Sequence, residues 1–255
     1  MVKPSSPLAW LLPPRCIGCD EPLSRRARSS LFCADCYQKF LRDIAYGCPS
    51  CRRRIVDCRC QTRYLNADRF FCFLPYDGGR EGNTVSRLIL AGKQKHRAAV
   101  YDLLAQYLLQ TASAQGLIEE RDLLVSYIPR ALPNIRRTGI DPAEELTERF
   151  LRATGLSFLP LFDRRMIGEE QKGLPYRERL SNSTANYRLI PGVAHEIMGR
   201  RILLIDDVVT TGATAGACVT LLREAGASEV TVLAAAKCVY YPDEQTMLYP
   251  PTYSE

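Results

Sequence analysis

The segment that most restricts the fold of this chain is Ile202-Leu-Leu-Ile-Asp-Asp-Val-Val-Thr-Thr-Gly-Ala-Thr214. An apolar run ends in two adjacent carboxylates, a Thr/Gly turn follows, and a helical pattern then begins. A short apolar run bounded by turn residues reads as a buried strand. A Gly-containing turn that feeds a helix suits an anion, because backbone N–H groups and the positive end of the helix dipole converge there. Asp206 and Asp207 stand where the strand delivers its end to such a ligand. Side by side, they suit two neighbouring hydroxyls, as on a ribose. Thr210, Thr211, Gly212, Ala213 and Thr214 supply N–H and hydroxyl groups for a phosphate. The competing reading is an ordinary acidic strand end with a polar turn, and the complete strand–loop–helix series weighs against it.

From about residue 68 onward the pattern alternates between strands and helices. Strands are expected at 70–76, 122–128, 156–161, 187–190, 201–205 and 230–235. Residues 84–110 are helical in spacing, with Leu88, Ile89, Val100, Leu103, Leu104, Tyr107 and Leu108 on one side and Gly92 as a candidate break. Asp141 and Pro142 are an N-cap and first helical residue, opening a helix to about residue 153. A helix over 215–225 is closed by Gly226. Residues 163–185 are polar and contain Gly168, Gly173 and Pro175, which makes them a long loop of the kind kept for function. Strands separated by helices imply an α/β fold with a doubly wound, mostly parallel sheet. Ligands of such sheets bind beyond the C-terminal strand ends, which is where the Asp pair falls.

The N-terminal part is different. Eight of the eleven cysteines lie at Cys16, Cys19, Cys33, Cys36, Cys48, Cys51, Cys58 and Cys60. They form three C-x2-C pairs and one C-x-C pair. Two thiolates so spaced grip one metal ion from a tight turn, and a tetrahedral site needs two grips. Four grips therefore give two zinc sites, or one well-formed site and one degraded. The two histidines of the chain, His96 and His195, lie elsewhere, so ligation is expected to be all-cysteine and structural. Spacing leaves consecutive and cross-braced pairings both open. A redox role would need a single C-x-x-C on a thioredoxin-like pattern, which is absent here. Cys72, Cys218 and Cys238 sit among apolar or small residues and read as packed thiols. The module, taken as residues 1–64 ahead of an α/β domain over 65–255, has too few large apolar residues for a core of its own.

Charge and hydropathy narrow the partners. The net charge is +6, and residues 1–64 carry twelve Lys/Arg against five Asp/Glu. That excess suggests a polyanion. Eight thiolates on two dications would cut it to about +3. Single-stranded DNA is one candidate, through arginines 25, 26, 28, 52, 53, 54, 59 and 63 interleaved with Tyr37, Phe40, Tyr46 and Tyr64; a solvated charged face is the ordinary alternative. No apolar run approaches the ~18 residues of a membrane span. The patch at 8–12 is too short for the apolar stretch of a signal peptide, so a cytoplasmic protein is expected.

Taken together, the chain resembles the ComF family, cytoplasmic proteins associated with DNA uptake in naturally transformable bacteria. The family joins an N-terminal double zinc ribbon to a type I phosphoribosyltransferase-like domain. The resemblance rests on the 202–214 fingerprint; on Pro13-Pro14-Arg15-Cys16; and on residues 125–129 followed by Arg136-Arg137-Thr138-Gly139 and Asp141. It also rests on Gln171, Gly173, Leu174, Arg179 and Asn182. Two departures are Val-Ser-Tyr-Ile-Pro at 125–129, where Val-Pro-Val-Pro is frequent, and Thr138, where arginine is usual.

The resemblance implies phosphoribosyl pyrophosphate (PRPP) with Mg²⁺ as ligand, and displacement of pyrophosphate by a nitrogen nucleophile through an oxocarbenium-like transition state. Asp206 and Asp207 would take the ribose hydroxyls as catalytic residues, and residues 210–214 the 5′-phosphate. Arg130 and Lys172 are candidates for the pyrophosphate, and the 163–185 loop, with Arg177, for a lid. Tyr240 and Tyr241 are candidate stacking partners for a base. Three functions compete: a phosphoribosyltransferase in nucleotide metabolism or DNA uptake; a non-catalytic single-stranded-DNA-binding protein working with DNA-uptake proteins; and a PRPP sensor.

Overall fold

The computed structural model describes residues 13–24, 30–78, 83–95, 98–120, 122–130, 132–164 and 187–239. Five parallel strands make the main sheet: β1 (Arg69–Tyr76), β2 (Leu124–Tyr127), β3 (Ser157–Phe158), β6 (Arg201–Val209) and β7 (Glu229–Cys238), in the order β1-β7-β6-β2-β3. Two short strands, β4 (Phe162–Arg164) and β5 (Tyr187–Leu189), form a separate antiparallel pair. The helices are α1 (Ala34–Ala45), α2 (Thr84–Lys95), α3 (Ala98–Ala114), α4 (Leu132–Thr138), α5 (Pro142–Thr154), α6 (Ala194–Ile197) and α7 (Ala213–Glu224).

β6 and β7 lie at the centre; residues 202–205 of β6 and every residue of β7 after Glu229 are buried, so these stretches read as largely apolar runs. The two-residue period of the strands still sorts their side chains. Leu203, Ile205, Leu233 and Ala235 join one core with α2, α3 and α5. Ile202, Leu204, Val232 and Ala234 join the other with α7.

The cysteine module completes both cores. Cys16, Ile17, Leu23, Phe32 and Phe40 pack into the first core, and Cys48, Ile55, Cys58 and Leu65 into the second. The module thus straddles edge strand β1, one cysteine group over each face. A segment too poor in apolar residues to fold around itself borrows the faces of the sheet. Each fully buried Phe or Leu contributes about 1.5–3 kcal/mol. Phe40, expected to be a surface platform, is such an anchor: it is buried and stacks on Phe32 with ring centroids 5.2 Å apart.

Several local expectations are met. Asp141 caps α5 by accepting from the Ala143 N–H at 3.1 Å, Pro142 follows, and Gly155 closes the helix at φ +65°. Others shift. Gly92 does not break α2; it lets α3 approach, since a Cβ there would sit 3.3–3.4 Å from Val100 and Tyr101. The strand expected at 156–161 shrinks to two residues. The one at 187–190 pairs with β4 instead of joining the parallel sheet. Three helices were not anticipated: α4 and α6, which are only one or two turns long, and α1, which lies inside the cysteine module and buries a single side chain, Phe40. Among the described residues no helix is long and apolar enough to cross a membrane.

Candidate functional site

β6 does not stop at Ile205. It continues to Val209, so Asp206 and Asp207 are strand residues, with Asp206 opposite Ala234 of β7. The loop 210–212 follows, and Gly212 enters α7 in the left-handed conformation at φ +80°. A residue without a side chain at the N-cap leaves the first turn open to an outside anion. Thr211 Oγ1 accepts from the Ala213 N–H at 3.3 Å. From the neighbouring strand, β2, the chain runs on through Ile128 and Pro129 to Arg130. One cleft is lined by Lys93, Arg130, Asp141, Tyr187, Asp206, Asp207, Thr210, Gly212, Ala213 and Thr214. The fold thus brings the acidic pair, the Thr/Gly loop and Arg130 together. Thr211 stands beside this lining.

The carboxylates are held differently. Asp206 Oδ1 accepts from the Asp207 N–H at 2.8 Å, and Asp207 Oδ1 from the Val208 N–H at 2.8 Å. Burial, then the Asp207 charge beside it, push the Asp206 carboxyl well above the ordinary carboxylate range. Asp207 Oδ2 is paired at 2.8 Å with the ammonium of Lys93, on α2. Lys93 went unnoticed in the sequence, where a lysine near the end of an amphipathic helix reads as solvated.

Arg130 is oriented by its neighbours. Its N–H donates to Asp141 Oδ2 at 2.7 Å, and its guanidinium to Thr138 Oγ1 at 3.3 Å. Asp141 is buried, which raises its carboxyl despite the N–H groups of Arg130 and Ala143. The hydroxyl of Tyr187 donates to the Pro129 carbonyl at 2.9 Å and steadies the same turn. Asp141 was legible as a helix cap and not as the anchor of Arg130; Tyr187 had no sequence signal beyond its place at the start of a strand. Lys172, Arg177 and most of the 163–185 loop, together with Gln171, Gly173, Leu174, Arg179, Asn182, Tyr240 and Tyr241, lie outside the described residues.

The cysteines gather consecutively, Cys16/Cys19/Cys33/Cys36 and Cys48/Cys51/Cys58/Cys60, with the sulfurs of each group within 4.8 Å of one another. A tetrahedral ion with Zn–S bonds of about 2.3 Å needs sulfurs about 3.8 Å apart. Cys19 and Cys33 lie at 3.9 Å, and Cys51 and Cys58 at 3.6 Å. The Gly18 and Cys33 N–H groups donate to Cys16 Sγ at 3.3 and 3.2 Å, and the Cys60 N–H to Cys58 Sγ at 3.3 Å. These donors stabilise thiolates. Without a cation the four thiols of a group cannot all ionise. A hydrogen bond from Cys58 draws the Cys48 thiol down to about 4, while Cys58 is pushed up by giving it and by burial. The donor sets fit a metal ion in both places, and the open question of pairing is answered as consecutive.

Arg52, Arg53 and Arg54 are exposed, as are Tyr37 at 49% and Tyr46 at 60%. Arg59 is exposed but donates to Gln115 at 2.6 Å and stacks on Phe71, so it is part of the scaffold. Arg25, Arg26 and Arg28 lie outside the described residues.

No family model matches the chain. It is 30% identical over 212 residues to competence protein ComFC of Streptococcus pneumoniae (strain ATCC BAA-255 / R6), with 80% of this chain and 87% of that protein covered. The chain belongs to the ComFC family. Among solved structures, this ComFC-family chain is similar to a glutamine PRPP amidotransferase from B. subtilis at 19% identity and TM-score 0.38, covering 57% of this chain. It spans 30% of the amidotransferase's length. It is also similar to a hypoxanthine phosphoribosyltransferase from Staphylococcus aureus, at 15% identity and TM-score 0.34, covering 55% of this chain and 75% of that one.

Proposed function

We propose that this ComFC-family chain binds PRPP with Mg²⁺ in the cleft at the end of β6, that zinc occupies both cysteine groups, and that the protein is cytoplasmic and serves DNA uptake or nucleotide metabolism. The observation that carries the ligand is the convergence, in one cleft, of the Asp206/Asp207 pair, the Thr210–Gly212 turn at the start of α7, and two cations, Lys93 and Arg130. Asp206 and Asp207 meet the ribose hydroxyls, and residues 210–214 the 5′-phosphate. Arg130, held by Asp141 and Thr138, faces the pyrophosphate. Mg²⁺ arrives with the ligand and neutralises its pyrophosphate charge.

Asp206 and Asp207 face the hydroxyls side by side, and Lys93 balances the Asp207 charge. Such a site suits departure of pyrophosphate and transfer of the ribosyl group to a nitrogen acceptor. A thermal-shift series tests the ligand: PRPP with Mg²⁺ is expected to raise Tm by several degrees, pyrophosphate with Mg²⁺ by less, and ribose alone not at all. Equal shifts with pyrophosphate and PRPP would argue for a plain anion site.

A second reading adds single-stranded DNA as partner. Its support is the exposed Arg52–Arg54 run in the same module as the exposed rings of Tyr37 and Tyr46.

A further inference from the structure

The second cysteine group and the phosphate loop are joined by a short strap, residues 61–65. At its start, Cys58 and Cys60 are ligands of the metal site. At its end, the Tyr64 N–H donates to the Thr211 carbonyl at 3.0 Å. Between them the strap lies tight under the loop. A Cβ on Gly212 would meet Leu65 N at 2.8 Å and Leu65 Cβ at 2.9 Å, and one on Gly216 would collide with the Tyr64 carbonyl oxygen. The Thr62 hydroxyl is buried against Gly212 with no hydrogen-bond partner among the described residues. Leu65 is fully buried in the second core, and Gln61 clasps the strap by exchanging hydrogen bonds with Ala67 at 2.6 and 2.9 Å.

A second connection runs through Lys237. Its side chain, 4% exposed, donates to Cys58 Sγ at 2.9 Å and to the Cys60 carbonyl at 3.1 Å. Lys237 sits on β7 opposite Val209, the residue that leads into Thr210. A tetrathiolate zinc carries a net charge of about −2, and a buried ammonium offsets part of it. The second metal site is therefore fastened to the phosphate loop from both sides, by the strap below and by β7 beside it. The first cysteine group packs into the core on the opposite face of the sheet from α7.

We propose that the metal held by Cys48, Cys51, Cys58 and Cys60 positions the phosphate loop, so that this metal and PRPP bind with positive coupling, while the metal of the first group does not take part. The proposal rests on the PRPP reading. Ligation fixes Cys58 and Cys60, these fix the strap, and the strap sets the Thr211 carbonyl and the Gly212 turn. The N–H groups of the loop then face the anion without reorganisation. Coupling between two sites is reciprocal, so PRPP strengthens retention of this ion by the factor with which the ion strengthens PRPP binding.

The test uses the full chain loaded with two zinc ions. It is titrated with a zinc-selective chelator that leaves Mg²⁺ in solution, with and without saturating PRPP/Mg²⁺, and released zinc is read with an indicator dye. The expected result is release in two steps, with PRPP holding back one ion by about tenfold or more in chelator and leaving the other unmoved. Cys19→Ser and Cys51→Ser assign the steps: the protected ion is the one missing from Cys51→Ser. As a variant that keeps all eight thiols, Lys237→Met is expected to weaken that protection. Calorimetry on the same zinc-loaded chain separates the failures. Normal PRPP binding with neither ion protected, or with the Cys19 ion protected, overturns the proposal alone. No PRPP binding overturns the ligand reading and the proposal with it.

Discussion

Removing the ammonium of Lys93 tests how the acidic pair is held. At 2.8 Å, two unit charges in an effective dielectric of about 20 attract by about 6 kcal/mol. Desolvation cancels most of that, because the side chains are only 28% and 17% exposed. A net coupling of about 1.5–3 kcal/mol remains, the range for a hydrogen bond to a charged group. Lys93→Met should therefore destabilise the protein, and each kcal/mol lowers Tm by about 2–4 °C in a chain of this size. The loss should depend on pH. Lys93 holds the Asp206 carboxyl down against burial and Asp207, so without it the carboxyl rises further. The folded state then keeps a proton that the unfolded state releases, and stability falls as pH rises above the ordinary carboxylate range. Calorimetric melts of wild type, Lys93→Met, Asp207→Asn and the double variant close the cycle. Additivity within about 0.5 kcal/mol would refute the ion pair as an organising contact.

Asp206→Asn should be more stable than wild type at neutral pH, since it removes a carboxyl that burial and Asp207 disfavour in its charged form. The folded carboxyl is raised, so the advantage should shrink as pH falls from the raised folded value toward the unfolded Asp value near 3.9 and be gone below it; a pH series of urea melts reads this directly. The protein should purify with one to two zinc ions per chain by elemental analysis, and Cys16→Ser with Cys19→Ser should release one ion and loosen the N-terminal module; eight thiols found as disulfides without zinc would contradict this. Single-stranded DNA should bind weakly, with a log–log salt slope of roughly −2 to −4, and neutralising Arg52, Arg53 and Arg54 together should flatten it. An anisotropy titration with no binding at tens of micromolar protein would remove that partner.

The parts of the fold legible in the sequence are those written by strong local rules. The buried strand over 202–205, the Asp141-Pro142 helix start and the cysteine pairs each follow from a few adjacent residues. The pairing of cysteines was not legible, because spacing permits two arrangements and the choice is made by which sheet face each group covers. Lys93 was hidden because its partner is 114 positions away along the numbered chain. Phe40 was misplaced for the same reason: its neighbours Phe32 and Tyr107 reach it from other elements. The strap at 61–65 looked like a linker, and its role depends on Gly212 and Gly216, which leave room for Thr62, Tyr64 and Leu65.

The central claim is that Asp206 and Asp207 hold the ribose of PRPP at the end of β6. Isothermal titration of PRPP with Mg²⁺ into the wild-type chain and into the Asp206→Ala/Asp207→Ala variant tests it most directly, with zinc content measured on both samples. Each hydroxyl left unpaired in the closed site costs about 1–3 kcal/mol, so the variant should bind at least tenfold more weakly while retaining its zinc. Equal affinity in the two proteins would contradict the account.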